Sequence, residues 1–398
     1  MRFSLRLFTL LATGGTLALF PHMLAARSQG NAKVVVSHSV LCDLTQQIAQ
    51  DTVDVTCLIE SGEDPHVYNA TPSDRRVIED AELLLYSGYN FEPDIIQMLE
   101  ATDSTVPRIA VAEAAVTDPL IGAHHHHDHA GHSDEEHGDE EHGDEEHGDE
   151  EHGDEEHGEH GEHSDHEEDE HEEHGHHEED EHGDHSDHEE GEHDEKDGHD
   201  DHSDHEEEGE ADPHVWHDAE NGIEMVQVIQ RQLSETFPNN ASLYQANAET
   251  LVAQLTQLDT WIHQQIKTVP ESQRVLVSTH DALGYYAEAY NIRIEAALAS
   301  FSTEARPSAA DLRELIDAVE DSNVPTVFVE STSNPRLIEA VSRETDIQVS
   351  AEPLYADSLG EAGTPAATYQ GMLTANTCTI VEGLGGNCDE AGAQTLLK

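Results

Sequence analysis

Five consecutive copies of the pentapeptide DEEHG run from Asp134 to Gly158. They lie inside a longer stretch, residues 123–212, that holds 45 Asp and Glu, one Lys and 25 of the chain's 32 His. Acidic groups, imidazoles and glycine bring almost no apolar area to offset the entropy of ordering a chain. A disordered insertion over residues 123–211 is therefore expected, and any fold has to be assembled from the sequence on either side of it. With 45 acids against one lysine, the stretch carries −44 of the formal −70 net charge, so the remainder is only moderately acidic. The carboxylates alone would serve solubility. The imidazoles add a capacity for Zn, Cu, Ni or Co, spread over many weak and exchanging sites rather than one of fixed geometry.

Without the insertion roughly 300 residues remain, enough for two ordinary domains with proper cores. The N-terminus reads as a secretory signal, expected over residues 1–26. Arg2 and Arg6 precede an apolar run from Leu7 to Phe20, and the small Ala25 and Ala26 offer a cleavage site. The run is short and rich in Thr and Gly for a membrane span, which makes an uncleaved anchor the lesser reading. No cysteine follows it to carry a lipid, so a soluble protein in the periplasm is expected. The four cysteines fit an oxidising compartment. Cys42 and Cys57 bracket one predicted helix and strand, and Cys378 and Cys388 bracket the end of the last predicted helix. That placement suits two local disulfides, but four cysteines allow three connectivities and the sequence does not choose among them. Their spacing lacks the C-x2-C pairs of a zinc site.

Short β-branched runs alternate with helical patterns along the mature chain. KVVVSH, VDVTCLI, ELLLYSG and RIAVAE read as strands before the insertion, and RVLVS, IRIEAALA, TVFVES and IQVSAE read as strands after it. The helices between them carry start signals. Thr71, Pro72 and Asp74 form a capping box with proline at the first helical position, and Ser308 with Asp311 repeats the box ahead of Leu312, Leu315, Ile316 and Val319. Leu251, Leu255, Leu258, Ile262 and Ile266 recur at three- and four-residue steps, which predicts one long amphipathic helix from about Ala241 to Lys267. The fold class is therefore α/β, with two (β/α) lobes built on parallel sheets and joined by a long helix. We expect the first lobe over residues 27–237, the linker over 238–268 and the second lobe over 269–398. Ligands of open α/β sheets collect at the carboxyl ends of strands, and a cleft between two such lobes gathers residues from both.

Six histidines stand outside the insertion and the signal segment. His66 and His214 each occupy an Asp-Pro-His turn, and His280 follows the first strand of the second lobe. Each alone is ordinary for a loop histidine. Together they sit where a backbone holds a ring rigidly, and they come from both lobes. Asp357, in a turn after the last strand, is the candidate fourth ligand of a tetrahedral site. His38, at the end of the first strand, and His263, on the long helix, are expected to face solvent or make local hydrogen bonds. Trp216, two residues from His214, is placed to report on the cleft.

The segments DPHVYNATPSD, DPHVW, STHDALGYYAEAYNI and YADSLG, in this order, resemble the metal-binding motifs of cluster A-I solute-binding proteins of ABC transporters, and within them the zinc-binding ZnuA group. The resemblance covers nearly the whole mature chain apart from the insertion. It implies two (β/α) lobes joined by a rigid helix, with one metal buried between them on His66, His214, His280 and Asp357, where water is the alternative to Asp357. It also implies that zinc is the transported ligand, that the partner is the membrane permease of an ABC importer, that the protein is a monomer, and that it is neither an enzyme nor a binder of nucleic acid. Manganese members usually carry a carboxylate at the third ligand position, so a histidine there, with a His-rich insertion before the second ligand, is similar to the zinc members. Three imidazoles and at most one carboxylate suit zinc better than manganese. The sequence departs from the motif at His217, where an apolar residue is expected, and His217 is an alternative ligand. Manganese or another divalent ion is the nearest alternative cargo. A zinc hydrolase is a further one, against which stands the absence of an H-E-x-x-H helix, and an extracytoplasmic zinc buffer is the last.

Overall fold

The computed structural model describes residues 31–102, 105–122, 209–297, 301–304, 308–322 and 324–396. The expected signal segment and the repeat tract lie outside the described residues.

Before the tract, the strands β1 (Ala32–Val36), β2 (Val53–Cys57), β3 (Leu83–Tyr86) and β4 (Arg108–Ala110) form one parallel sheet in the order β2-β1-β3-β4. Three helices connect them: α1 (Ser39–Ala49), α2 (Pro72–Glu79) and α3 (Pro93–Glu100). The capping box at α2 is realised in full, Thr71 accepting from the amides of Ser73 and Asp74 while Asp74 reaches back to the Thr71 amide. Only the first half of RIAVAE is strand. Its ladder ends at Ala110, and Val111–Ala115 turns into a helix, α4, whose Val111 and Ala112 are buried. The Ala112 amide is taken by the Ser87 carbonyl rather than continuing the ladder.

Beyond the tract come α5 (Ala219–Thr236) and the long α6 (Ala241–Ile266). The five apolar residues of the predicted stripe are all buried. Helix α6 packs on α1 and α5 of the first array, and on α10 (Tyr369–Gly383) and α11 (Glu390–Leu396) of the second. The second array holds β5 (Val275–Ser278), α7 (Gly284–Tyr290), β6 (Arg293–Ala297), α8 (Ala309–Ser322), β7 (Thr326–Val327), α9 (Pro335–Thr345) and β8 (Gln348–Val349). Strands β5 and β6 pair in parallel, as do β7 and β8, and the Phe328 amide donates to the Val277 carbonyl at 3.0 Å, joining the pairs. The order β6-β5-β7-β8 thus repeats the order of the first sheet.

This second sheet is the less regular of the two. TVFVES and IQVSAE contribute two ladder residues each: the chain leaves the ladder after the Ser350 amide bonds to the Val327 carbonyl, and rejoins it through a bridge between Glu330 and Leu354. Both capping-box bonds at the start of α8 are present between Ser308 and Asp311.

One apolar core runs through both arrays, taking Val34, Val36 and Leu85 from the first sheet, Leu255 and Ile262 from α6, and Leu276, Tyr286 and Leu373 from the second half. Halves that share a core of this kind do not move as independent domains. Disulfides Cys42–Cys57 and Cys378–Cys388 tie α1 to β2 and the end of α10 to the approach to α11, as the local pairing anticipated. The segments on either side of the tract pair with each other in a narrow neck. Ile121 and Ala211 form an antiparallel bridge, flanked by Gly122 N to Glu210 O at 2.9 Å and Asp212 N to Leu120 O at 2.8 Å. The Tyr285 hydroxyl pins both sides, accepting from Leu120 N at 3.0 Å and donating to Asp212 O at 3.3 Å. Among the described residues no helix is long and apolar enough to cross a membrane.

Candidate metal site

The two Asp-Pro-His turns are built alike. In each, the aspartate Oδ1 accepts from the amide of the histidine two residues on: Asp64 to His66 at 3.0 Å and Asp212 to His214 at 2.9 Å. Such Asx turns fix the backbone locally, and the intervening proline removes a donor that would have no partner. The turn at His66 follows β2 and is held from behind by Phe91, whose ring lies 4.9 Å from the imidazole. The turn at His214 adds a second bond, from Nδ1 to Asp212 Oδ1 at 2.8 Å. His280 comes just past the carboxyl end of β5, where Glu330 takes three hydrogen bonds from it and its neighbour: from the amides of Thr279 and His280, at 3.1 and 3.2 Å, and from His280 Nδ1. Asp357 follows the bridge at Leu354, and its Oδ2 accepts from the Thr332 hydroxyl at 2.6 Å.

The remaining atoms converge. Asp357 Oδ1 lies 3.5 Å from His66 Nε2, 3.2 Å from His214 Nε2 and 3.1 Å from His280 Nε2, and the Nε2 atoms of His66 and His214 are 3.3 Å apart. All four residues are buried, and their donor atoms lie within 4.8 Å of one another. The four residues singled out in the sequence are therefore brought together, two from segments before β5 and two from the second array.

The electrostatics of the site follow from its carboxylates. Burial alone would push the His214 imidazolium toward its neutral form, but the hydrogen bonds to Asp212 and Asp357 outweigh it and raise the ring above the usual 6.5. For His280, burial is likewise outweighed by the charges of Asp357 and Glu330, and the ring sits well above its ordinary value. Asp357 is held well below the usual carboxylate range, because the facing imidazoles, His280 foremost, overcome the cost of its burial. The arrangement is one acid surrounded by bases that each present an Nε2.

One expectation is corrected, and the alternative ligand is placed elsewhere. His38 does not face solvent and makes no local hydrogen bond: it is fully buried, and neither ring nitrogen has a partner. It packs 5.0 Å from Phe91 and 5.3 Å from Trp216, in the wall behind the ligands, and burial drives it from 6.5 down to about 3. Its position after a strand, within Ser-His-Ser, looks like a polar turn, but the packing of Phe91 and Trp216 closes over it. His217 does not join the ligands: it too is fully buried, and its Nε2 is spent on the Ala356 carbonyl at 2.9 Å. His263 is as expected, partly exposed on α6 with Asp259 at 3.9 Å.

Asp212 and Glu330, which orient His214 and His280, were not singled out in the sequence. The doubled Asp-Pro-His pattern was the available signal for Asp212. Glu330 stands 50 residues from His280, and only the parallel sheet brings it there.

The model of the family described as zinc-uptake complex component A, periplasmic, matches residues 34–383. The chain belongs to the ZnuA family. Among its relatives, the manganese-binding lipoprotein MntA of Halalkalibacterium halodurans is 26% identical over 352 residues, 88% of each chain. The zinc-binding protein TroA of Treponema pallidum is 24% identical over 378 residues, 93% of this chain and 95% of its own. The solved structure of that periplasmic zinc-binding protein superposes with a TM-score of 0.65 at 23% identity, covering 89% of this chain and 99% of the other. A manganese-bound periplasmic protein from Candidatus Liberibacter asiaticus gives a TM-score of 0.61 at 22% identity, covering 89% and 100%. ZnuA-type proteins are metal-binding solute-binding components of ABC transporters, and the two-lobe α/β architecture described above is that of the family.

Proposed function

We propose that this protein captures zinc in the periplasm on His66, His214, His280 and Asp357 and hands it to the membrane permease of an ABC importer. The observation that carries the reading is the convergence of three imidazole Nε2 atoms and one carboxylate oxygen, all buried. A tetrahedral zinc with bonds of 2.0–2.1 Å has ligand–ligand edges of about 3.3 Å. Four of the six separations between ligand atoms, 3.1, 3.2, 3.3 and 3.5 Å, lie around that edge, and all six are within 4.8 Å. Neutral nitrogen donors in the majority favour zinc over manganese, whose preference is for oxygen. Rigid halves sharing one core present the ligands with little freedom to lose on binding. The permease then recognises the metal-loaded form.

Manganese is the second reading, favoured by the carboxylate in the ligand set and by relatives named for manganese. Under the first reading the His-rich tract, which ends three residues before His214, is an accessory that collects zinc at weak sites.

Calorimetric competition between zinc and manganese tests this, on the full chain and on a variant lacking residues 124–210. The neck at Ile121 and Ala211 makes that deletion compatible with the fold. One tight zinc site that outcompetes manganese, survives the deletion and disappears with H66A/H214A/H280A is expected. Tight binding only in the full chain would transfer the function to the repeat.

A further inference from the structure

His217 is the residue the ligand set leaves unexplained. The Ala356 carbonyl accepts from two side chains of a single turn: His217 Nε2 at 2.9 Å and Trp216 Nε1 at 3.2 Å. A carbonyl oxygen only accepts, so the His217 proton resides on Nε2 and its Nδ1 is the bare nitrogen. That Nδ1 is buried and has no partner. An apolar ring of similar size would fill the same space without the orphaned nitrogen, so the imidazole contributes one thing that packing does not require, its bond to Ala356.

The bond acts next to a ligand. The Ala356 carbonyl lies in the same rigid peptide plane as the nitrogen and Cα of Asp357. Two donors on one oxygen engage both of its lone pairs and fix the plane from which the Asp357 side chain departs. Ala356 is fully buried, so bulk water cannot replace a lost donor. The turn that supplies the donors is itself anchored, for the Tyr369 hydroxyl donates to the Trp216 carbonyl at 2.6 Å. Gly222 of α5 makes room for that hydroxyl, since a Cβ there would run into it. At its far end Asp357 is held by Thr332. The carboxylate is thus set from both sides, once through its main chain and once through Oδ2.

We propose that His217 is a positioning residue which, through the Ala356 carbonyl, presents the Asp357 carboxylate to the metal, and that its loss weakens manganese binding more than zinc binding. This rests on the ligand set proposed above. Zinc holds a four-coordinate site with three imidazoles and a water in the fourth place. Manganese depends more on oxygen and suffers more when the only carboxylate is misplaced.

The test measures zinc and manganese affinities of the full-length protein against a competing chelator, at one equivalent of metal so that the tightest site is read. The variants are H217F, H217M, H217Q, D357A and H217F/D357A, each checked by near-UV circular dichroism and thermal melting. Loss of one positioning hydrogen bond predicts that H217F and H217M lower manganese affinity about tenfold and zinc affinity less than about threefold. Glutamine, which places an amide donor near the same point, is expected to restore manganese affinity to within about threefold of the parent. In the D357A background H217F is expected to have no further effect, because a residue acting through Asp357 is silent once that carboxylate is gone. Equal losses for both metals, no loss at all, no rescue by glutamine, or an undiminished effect on top of D357A would each overturn the proposal while leaving the site in place. Unchanged affinities in D357A itself would remove the ligand set, and this inference with it.

Discussion

The ligand pocket and the wall behind it contain histidines that are equally buried and behave in opposite ways. His214 and His280 each have a carboxylate behind Nδ1, Asp212 in one case and Glu330 in the other, and both rings are raised above 6.5. His38 and His217 have no such partner, and burial drives both down to about 3. Burial by itself therefore makes a neutral ring with little basicity. A carboxylate on the far nitrogen makes a basic ring with its tautomer and orientation fixed, so that Nε2 faces the centre of the site. The pocket differs from its wall less in which residues it holds than in what stands behind them.

The sharpest way to break this comparison is to remove the carboxylate while keeping the shape. D212N and E330Q are each expected to lower metal affinity about 10- to 100-fold, as outer partners of metal-bound histidines do, measured by chelator competition. If both leave affinity unchanged, the contrast between pocket and wall has no functional weight.

Next in size is the dependence on pH. Metal binding needs neutral imidazoles, and His214 and His280 hold protons above the ordinary 6.5 in the metal-free protein. Protons therefore compete already above pH 6.5, and affinity is expected to fall as pH decreases through that range, by up to about tenfold per unit for each ring. E330Q removes a charge that raises His280 and is expected to move its share of the fall to lower pH. A pH-independent titration between about 7 and 5 contradicts the three-imidazole site.

The smallest expected effect belongs to the wall. H38F is expected to leave metal affinity within about threefold of the parent, but to change how stability responds to acid. With a folded-state value of about 3 against 6.5 for a free ring, the unfolded chain takes up a proton at His38 that the folded chain refuses. Stability from this ring is complete above pH 6.5 and is lost, at about 1.4 kcal/mol per pH unit, as pH falls toward 3. Denaturant melts of H38F at pH 7 and pH 5 are expected to show a shallower loss than the parent.

Much of the fold was legible because its signals are local. Alternating strands and helices, the boxes at Thr71 and Ser308, and the stripe from Leu251 to Ile266 all depend on neighbours within a few residues. Strands β7 and β8 are shorter than the runs TVFVES and IQVSAE, because where a ladder ends depends on the path of the partner strand, here diverted between Ser350 and Leu354. The four converging residues were legible as histidines in turns and an aspartate after a strand. The ranking among buried histidines was not. It depends on Glu330, which lies 50 residues from His280, and on Phe91 and Trp216 closing over His38.

The neck between Leu120 and Asp212 also bears on how such a chain changes over generations. Because Ile121 pairs with Ala211 and Tyr285 ties both sides, the entry and exit of the tract are fixed by contacts that do not involve the repeat. Doubling the length of a flexible loop between fixed ends costs only about 0.6 kcal/mol. For a tract whose composition leaves it without a core of its own, copies of DEEHG are expected to be gained or dropped at little expense to the folded body. A change in copy number alters only what lies between the two paired segments, while the site, resumed at His214 two residues past Asp212, keeps its own contacts.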